Sequence, residues 1–211
     1  MSTDRKSSTV LNVPNQITAV RMLLAIIVFV AIPLELYLLA LILFSIAAAT
    51  DWIDGYWARK YDQVTTLGRI FDPLADKVII CGTYILLAVD QNQQAFADVQ
   101  LGIAGWMAVI VVARELMVTV IRSHIEREGG DFSAKWAGKW KMGFQCGAVI
   151  SCLLVLHLAT GVNDLEGWIK WTFAGFVWLS VASTIYSGAV YIVAATRMLR
   201  TASADEPGDS A

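Results

Sequence analysis

The sequence has few of the side chains that zinc sites and disulfide frameworks use. Its two histidines, His124 and His157, are far apart, and its three cysteines, Cys81, Cys146 and Cys152, all lie within apolar runs. The cysteine count is odd and no C-x-x-C spacing occurs, so the thiols are predicted to be reduced and buried. The absence of a His/Cys cluster argues against a zinc site.

Charge is also scarce. Only 16% of the 211 residues are charged and 57% are hydrophobic, whereas an ordinary soluble domain has about 25% charged residues. The apolar residues are concentrated in blocks of roughly 20, the length that crosses a bilayer as a helix. The sequence shows neither strand-like alternation nor a polar second domain, and its net charge of −2 does not indicate nucleic-acid binding. These features predict an all-α integral membrane protein whose surroundings are a lipid bilayer.

The apolar blocks predict six transmembrane helices in one domain, residues 12–200, between a polar segment, 1–11, and a disordered acidic tail, 201–211. The predicted helices cover about 17–33, 36–59, 72–89, 101–126, 142–158 and 168–198. A cleaved signal peptide is the alternative for the first block. Against it, Arg21 interrupts the block and no clear small-x-small cleavage site follows.

The lysines and arginines predict the orientation of these helices. If the N-terminus is cytoplasmic, all 16 except Lys170 fall on the cytoplasmic side. The opposite loops carry acidic residues instead: Glu35, Asp90, Asp98, Asp164 and Glu166. Because basic residues are enriched in cytoplasmic loops, both termini are predicted to be cytoplasmic.

Four aspartates stand in two pairs at the cytoplasmic ends of the second and third predicted helices. Asp51 and Asp54 are three apart, and Asp72 and Asp76 are four apart, so each pair shares a helix face. The short connection predicts that the two helices are antiparallel neighbours and that the pairs converge. Four adjacent carboxylates need a cation. Oxygen ligands favour Mg²⁺ or Mn²⁺, and two ions would suit phosphoryl chemistry.

Structural explanations exist for parts of this pattern. Asp51 and Asp54 alone could be helix-end residues near the headgroups, and Asp72 alone could be an N-cap before Pro73. Pro73 favours a helix start near Asp72, so the shared face of the second pair is the weakest geometric step. A calcium-binding EF-hand loop does not fit, because the spacing differs and the flanks are apolar. All four together favour a functional site.

Small and basic residues accompany the aspartates. Gly55 and Gly68 lack a Cβ and would let a ligand approach the backbone closely, and Arg59 could meet phosphate oxygens. Further cations follow on the same predicted side: Arg114, Lys139 and Lys141. Several cations beside a metal site suggest a second, anionic substrate, although contact with lipid headgroups is the alternative for some of them.

The run D-x-x-D-G-x-x-A-R-x8-G-x3-D-x3-D, from Asp51 to Asp76, resembles the signature of the CDP-alcohol phosphatidyltransferases, with every fixed position filled. Three other segments are similar to members of this family that make phosphatidylglycerophosphate: 12–21, 113–115 and 138–145. Together the matching segments cover about residues 11 to 150, whereas the last helix and the tail carry no distinguishing match.

The resemblance implies a six-helix homodimer in the cell inner membrane, with a polar cavity open to the cytoplasm. It implies that Mg²⁺ or Mn²⁺, as two ions, is held by Asp51, Asp54, Asp72 and Asp76, and that Asp76 is also the general base. It implies that six residues contact CDP-diacylglycerol: Asn15, Gln16, Gly55, Arg59, Thr65 and Gly68. It implies that three cations bind the acceptor's phosphate: Arg114, Lys139 and Lys141.

The implied activity is transfer of a phosphatidyl group from CDP-diacylglycerol to sn-glycerol 3-phosphate, giving phosphatidylglycerophosphate and CMP. Inositol phosphate, phosphatidylglycerol and serine stay open as acceptors. The cations favour a phosphorylated acceptor, but Met142 stands where Thr is frequent in family members that use glycerol phosphate. A divalent-cation transporter is the alternative from another class. Against it, all four aspartates lie toward one membrane face and no inverted repeat is apparent.

Overall fold

A computed structural model describes the backbone of residues 13–61, 66–90, 102–127, 135–159 and 167–205, and the side chains of 16–50, 74–90, 102–123, 140–159 and 167–196. Within these ranges there are six helices and no strand, so the predicted all-α fold is confirmed. The helices are α1 (Val13–Ala31), α2 (Tyr37–Tyr61), α3 (Thr66–Val89), α4 (Gly105–Arg127), α5 (Lys135–Ala159) and α6 (Gly167–Asp205).

Three helices extend beyond the apolar blocks that predicted them. α3 begins at Thr66, well before the expected start at Asp72, so Pro73 lies inside the helix. α5 begins at Lys135 instead of near Met142. α6 continues to Asp205, so residues 201–205 of the expected disordered tail are helical, whereas 206–211 and 1–12 lie outside the described residues. The difference arises because an apolar pattern marks only the part of a helix that meets lipid or core.

A tight turn joins α1 to α2. The Glu35 amide donates to the Ile32 carbonyl at 2.9 Å, and the Leu36 amide donates to the Ala31 carbonyl at 3.0 Å. This pair of bonds is the Schellman arrangement, in which the residue after the helix adopts a left-handed conformation and is usually glycine. Glu35 takes that position with a φ of 59°. The turn predicted at Glu35 is therefore present, with a conformation that strains a side chain bearing a Cβ.

The first three helices pack as one group. α1 contacts both α2 and α3, and the Phe29 ring lies where a Cβ on Gly82 would be, so α1 and α3 approach closely. Tyr37, at the start of α2, donates a 2.9 Å hydrogen bond to Asp90, just after the end of α3. α2 and α3 are therefore antiparallel, as their short connection predicted, although most of the packing of α2 is against α1 and α5.

α5 lies at the centre of the bundle, against α2, α3 and α6, and α4 packs on α3 and α6. Four contacts define the directions of the last three helices: Trp106 with Trp178, Arg114 with Tyr191, Gln145 with Thr184, and Gly147 with Phe176. α4 and α6 are parallel, and α5 is antiparallel to α6. The six helices therefore alternate in direction, and one end of the bundle holds Arg21, Asp76 and Lys141. We call it the charged end.

Apolar side chains cover the outside of the bundle. Large hydrophobic residues such as Leu23, Ile42, Ile85 and Val109 are exposed on α1 to α4, and others are exposed along α6. In the described part of α5, by contrast, Trp140 is the one exposed large hydrophobic side chain. Apolar surface on this scale requires an apolar surrounding, such as lipid or another protein surface.

Two helical segments among the described residues are long and apolar enough to cross a bilayer. They are Trp140–Ala159 and Gly167–Thr196, and two shorter apolar segments are Gln16–Ala31 and Tyr37–Thr50. Length and composition alone also admit a buried helix of a soluble protein. The exposed apolar surface adds to the membrane interpretation.

Candidate active site

A buried ion pair joins α1 to α3 at the charged end. Nη1 of Arg21 donates a hydrogen bond to Oδ1 of Asp76 at 2.5 Å. The Arg21 side chain is 1% exposed and the Asp76 side chain is 28% exposed. A guanidinium withdrawn from water in this way needs an anion beside it. Asp76, the predicted general base, is that anion.

The cavity beside this ion pair is lined by residues of four helices. Besides Arg21 and Asp76, its lining comprises Phe44, Ala47, Ala48, Ile79, Ile80, Met142 and Cys146. Ala47 and Ala48 belong to α2, and Asp76, Ile79 and Ile80 belong to α3. α2 and α3 therefore border the same cavity at the charged end.

The donor chemistry beside the cavity fits a hard divalent cation. Asp76 keeps a partly exposed carboxylate, and carboxylate oxygens are the ligands that Mg²⁺ and Mn²⁺ prefer. Among the described side chains no three His, Cys, Asp or Glu residues form a complete metal site. Asp51, Asp54 and Asp72 lie in α2 and α3, but their side chains are outside that set. The four-aspartate site therefore stays a prediction.

Most residues predicted to contact the substrates also fall outside the described side chains. They are Asn15, Gly55, Arg59, Thr65, Gly68 and Lys139. Gly55 lies within α2 and Gly68 within α3. Gln16 is described and is exposed in the first turn of α1. Their proposed contacts with the donor or the acceptor stay predictions.

A second charged group lies between α4 and α5, on the neighbouring face of α5. Lys141 and Gln145 belong to it, whereas Met142 and Cys146, each one position further along, line the Asp76 cavity. Since residues four apart share a helix face, α5 presents one such pair to each group. α5 therefore connects the two groups directly.

Glu115 is the centre of this second group. Its Oε1 accepts a hydrogen bond from Lys141, lies 3.3 Å from Nη1 of Arg114, and lies 3.5 Å from Nε2 of Gln145. Arg114, Glu115 and Lys141 are each only 7% exposed. We call these four residues the Glu115 cluster. It contains two cations and one carboxylate, so it carries one net positive charge.

Polar and aromatic groups of α6 surround the cluster. Nε2 of Gln145 donates a 3.2 Å hydrogen bond to Thr184, and the guanidinium of Arg114 lies 5.3 Å from the ring centre of Tyr191. Gly188 lies beside the Arg114 stem, where a Cβ would be in contact with its Cγ. A ring face stabilises a cation placed over it. α6 therefore contributes to holding Arg114.

Arg114 retains unused donors. Among the described residues its buried Nε and Nη2 atoms have no hydrogen-bond partner. A buried guanidinium nitrogen without an acceptor is costly, and the cluster has an excess positive charge. An anion such as a phosphate would accept hydrogen bonds from these two atoms and balance the excess charge, but binding of the acceptor's phosphate by Arg114 and Lys141 stays a prediction. Lys141 itself is already paired with Glu115.

Sequence interpretation assigned no role to Arg21 or Glu115, although both lie in segments that it singled out. Arg21 stands in the first apolar block, and Glu115 follows Arg114 in the fourth. An ionisable residue within a membrane-spanning helix is a functional candidate by default. The sequence therefore marks both residues as candidates, although it does not indicate their partners.

Comparison with known proteins identifies the class of protein to which this helical fold belongs. A protein-family model described as CDP-alcohol phosphatidyltransferase matches residues 11–198, and the chain belongs to this family. The CDP-diacylglycerol–glycerol-3-phosphate 3-phosphatidyltransferase of Bacillus subtilis (strain 168) is 33% identical over 208 residues, which cover 90% of this chain and 98% of that protein.

Two further similar proteins carry the same name. The Pseudomonas fluorescens protein is 29% identical over 203 residues, covering 90% of this chain and 93% of that protein. The Arabidopsis thaliana protein, which is numbered 1 and named as chloroplastic/mitochondrial, is 32% identical over 158 residues, covering 71% of this chain and 50% of that protein. The resemblance seen in the aspartate signature is thereby confirmed.

Proposed function

We propose that this protein transfers a phosphatidyl group from CDP-diacylglycerol to sn-glycerol 3-phosphate, releasing CMP. The observation that carries the proposal is the similarity, over nine-tenths of the chain, to a protein named for this reaction. The geometry of the charged end agrees with it. The cavity that contains Asp76 and the Glu115 cluster, with its excess positive charge, lie against adjacent faces of α5, so a base and an anion-binding group would be neighbours.

The protein spans the cell inner membrane six times, with both termini and the charged end in the cytoplasm. The exposed apolar residues on the outer helices support this arrangement. The distribution of lysine and arginine supports the orientation of the helices, because 15 of the 16 would lie on the cytoplasmic side and Lys170 alone on the opposite side. The protein forms a homodimer, as the family resemblance implies, and native mass spectrometry from detergent would report the dimer directly.

Asp51, Asp54, Asp72 and Asp76 hold two Mg²⁺ or Mn²⁺ ions. When bound, the ions withdraw charge from the phosphoryl oxygens and stabilise the departing CMP. The side chains of Asn15, Gln16, Arg59 and Thr65 contact the CDP group. Gly55 and Gly68 allow that group to approach the helix backbones closely.

Asp76 accepts the proton of the acceptor's 1-hydroxyl group. The deprotonated 1-hydroxyl oxygen of the acceptor forms a bond to the β-phosphorus of CDP-diacylglycerol. The bond from that phosphorus to the bridging oxygen of the pyrophosphate breaks, so CMP leaves. A positioned general base of this kind contributes about 10²–10⁴-fold to the rate. Arg114, Lys139 and Lys141 bind the acceptor's phosphate, with the excess positive charge of the Glu115 cluster favouring an anion there.

CMP release by purified protein in detergent tests the proposal. Mg²⁺ or Mn²⁺ and CDP-diacylglycerol are supplied, and sn-glycerol 3-phosphate, inositol 1-phosphate, serine and phosphatidylglycerol are added one at a time. Release that depends on glycerol phosphate and stops with EDTA is expected. Release with a different acceptor only would overturn the choice of substrate. No release with any of them would overturn the transferase assignment, because a cation transporter releases no CMP.

Asp76→Asn tests the role of Asp76 as the base and is expected to lower kcat by about 10²–10⁴-fold. Asp90→Asn is the matched control, because Asp90 lies at the opposite end of α3 and asparagine can still accept the Tyr37 hydroxyl. Folded Asp76→Asn protein with full activity would remove Asp76 from the mechanism.

A further inference from the structure

We infer that Arg21 is the positioning residue of Asp76: it holds Oδ1 of the carboxylate so that Asp76 is oriented before substrate arrives. The inference rests on the proposed function, because it concerns the carboxylate that accepts the acceptor's proton. It adds a second role for α1, whose first turn also carries the proposed donor contacts Asn15 and Gln16. Arg21 acts through Asp76 and need not touch either substrate.

The burial of Arg21 is the first observation behind this role. Its side chain is only 1% exposed, and it is the largest fully buried side chain of the described residues. Burying an arginine is expensive unless it is paired, and a well-packed apolar residue of similar size would often serve stability as well. Arg21 instead faces a cavity whose other polar side chain is Asp76. The pair therefore has a use beyond packing.

The second observation is that Arg21 sits on a fixed support. Thr18, Ala25 and Val28 of α1 are buried along with it, and Phe29 packs so closely on α3 that Gly82 has no room for a Cβ. Both helix register and helix separation are therefore set by apolar contacts. An arginine on such a support can locate a carboxylate within the tolerance that catalysis needs, since about 1 Å of misplacement can cost roughly 10²-fold in rate.

The geometry also explains why an arginine is suited to the task. The hydrogen bond from Nη1 of Arg21 to Oδ1 of Asp76 limits rotation of the carboxylate about the Cβ–Cγ bond. It therefore defines the direction of Oδ2. A planar guanidinium keeps the direction of its donors, whereas the ammonium group of lysine is a point charge on a flexible stem. Lysine at position 21 would retain the charge but lose much of the orientation.

Three variants measured beside the wild-type protein test the inference: Arg21→Met, Arg21→Lys, and Arg122→Met as the matched control at an exposed position of α4. The readouts are kcat, the KM of each substrate, and the Kd for Mn²⁺ by electron paramagnetic resonance without substrates. Arg21→Met is expected to lower kcat about 100-fold while both KM values stay near wild type. Arg21→Lys is expected to fall between Arg21→Met and wild type.

The Mn²⁺ readout separates positioning from a merely structural role. Removing a positive charge beside Asp76 should leave the Kd for Mn²⁺ unchanged or lower it, because the cation no longer repels the metal. A collapsed site would instead lose Mn²⁺ affinity and kcat together, and that result would overturn the inference. Folded Arg21→Met protein with kcat near wild type would overturn it too. If Arg21→Met does not fold, Arg21→Lys decides, and full activity there refutes the role.

The wild-type assay distinguishes this failure from failure of the proposed function. Wild-type protein that releases no CMP with any acceptor overturns the proposed function, and the role of Arg21 within it. Wild-type protein that is active with another acceptor leaves the inference intact, and kcat is then measured with that acceptor. Active wild-type protein with an equally active Arg21→Met variant overturns the inference alone.

Discussion

Glu115 is the one carboxylate of the Glu115 cluster, and its neutralisation should cost more stability than the loss of either cation. Glu115→Gln leaves Arg114 and Lys141 buried together without an anion among the four residues of the cluster. Removing one partner of a buried ion pair costs about 3–5 kcal/mol. Because two cations lose the same anion here, we expect Glu115→Gln to lower the unfolding free energy by an amount near the upper end of this range, about 5 kcal/mol.

Lys141→Met should be milder, because it leaves a balanced pair. Nη1 of Arg114 remains 3.3 Å from Oε1 of Glu115, so the cluster then carries one charge of each sign. The loss is one hydrogen bond between charged groups, about 1.5–3 kcal/mol. The expected difference between the two variants is therefore at least about 2 kcal/mol.

Equilibrium unfolding in mixed detergent micelles, titrated with sodium dodecyl sulfate, measures this difference. Circular dichroism and the fluorescence of the 8 tryptophans follow the same transition. Lys170→Met, at the opposite end of the bundle, is the control and should change the unfolding free energy by no more than about 0.5 kcal/mol. A Lys141→Met variant as unstable as Glu115→Gln would refute the reasoning, because Glu115 would then not be the shared anion.

Three other substitutions test packing and turn geometry, each by the same unfolding measurement. Glu35→Gly should raise the unfolding free energy by about 1 kcal/mol, because glycine adopts the left-handed conformation of this turn without strain; a loss would show that the Glu35 side chain contributes more than its backbone costs. Gly82→Ala should lower it by about 1–3 kcal/mol, because the new Cβ meets the Phe29 ring, and adding Phe29→Leu should recover part of the loss. Tyr84→Phe removes the 2.9 Å hydrogen bond from the buried Tyr84 hydroxyl to Ser180 and should cost about 1 kcal/mol. Tyr186→Phe, at an exposed position on α6, is its control and should be neutral.

The sequence predicted the helices well where apolar residues define them, and less well where polar turns extend them. The turn at Glu35 lies between two apolar blocks and was found correctly. The start of α3 was placed at Asp72, because Pro73 is a strong signal for a helix N-terminus. In the structure α3 begins at Thr66. Pro73 therefore lies inside α3, where it cannot donate a hydrogen bond to the Arg69 carbonyl.

The sequence named Asp76, Arg114 and Lys141 as candidate site residues, but it did not indicate which charged groups they meet. Spacing on one helix indicated that the aspartates share faces, since it depends only on helical geometry. The partners of Asp76 and Lys141 lie on other helices and depend on how the helices pack. Arg21 and Asp76 are 55 residues apart, and Glu115 and Lys141 are 26 apart. No local pattern specifies which charge meets which, so the partners of Arg21 and Glu115 could be identified only from the fold.

Arg21 and Asp76 are 55 positions apart, so the two charges are also separated in time while the chain is being made. At about 5–20 residues per second, Arg21 emerges from the ribosome roughly 3–11 s before its counterion. In the six-span arrangement Arg21 lies near the cytoplasmic end of the apolar segment Gln16–Ala31, so its long side chain would reach the headgroup region during that interval. The guanidinium would be buried only when α3 packs against α1 and brings Asp76 beside it. Burial of this charge is therefore a late step of assembly.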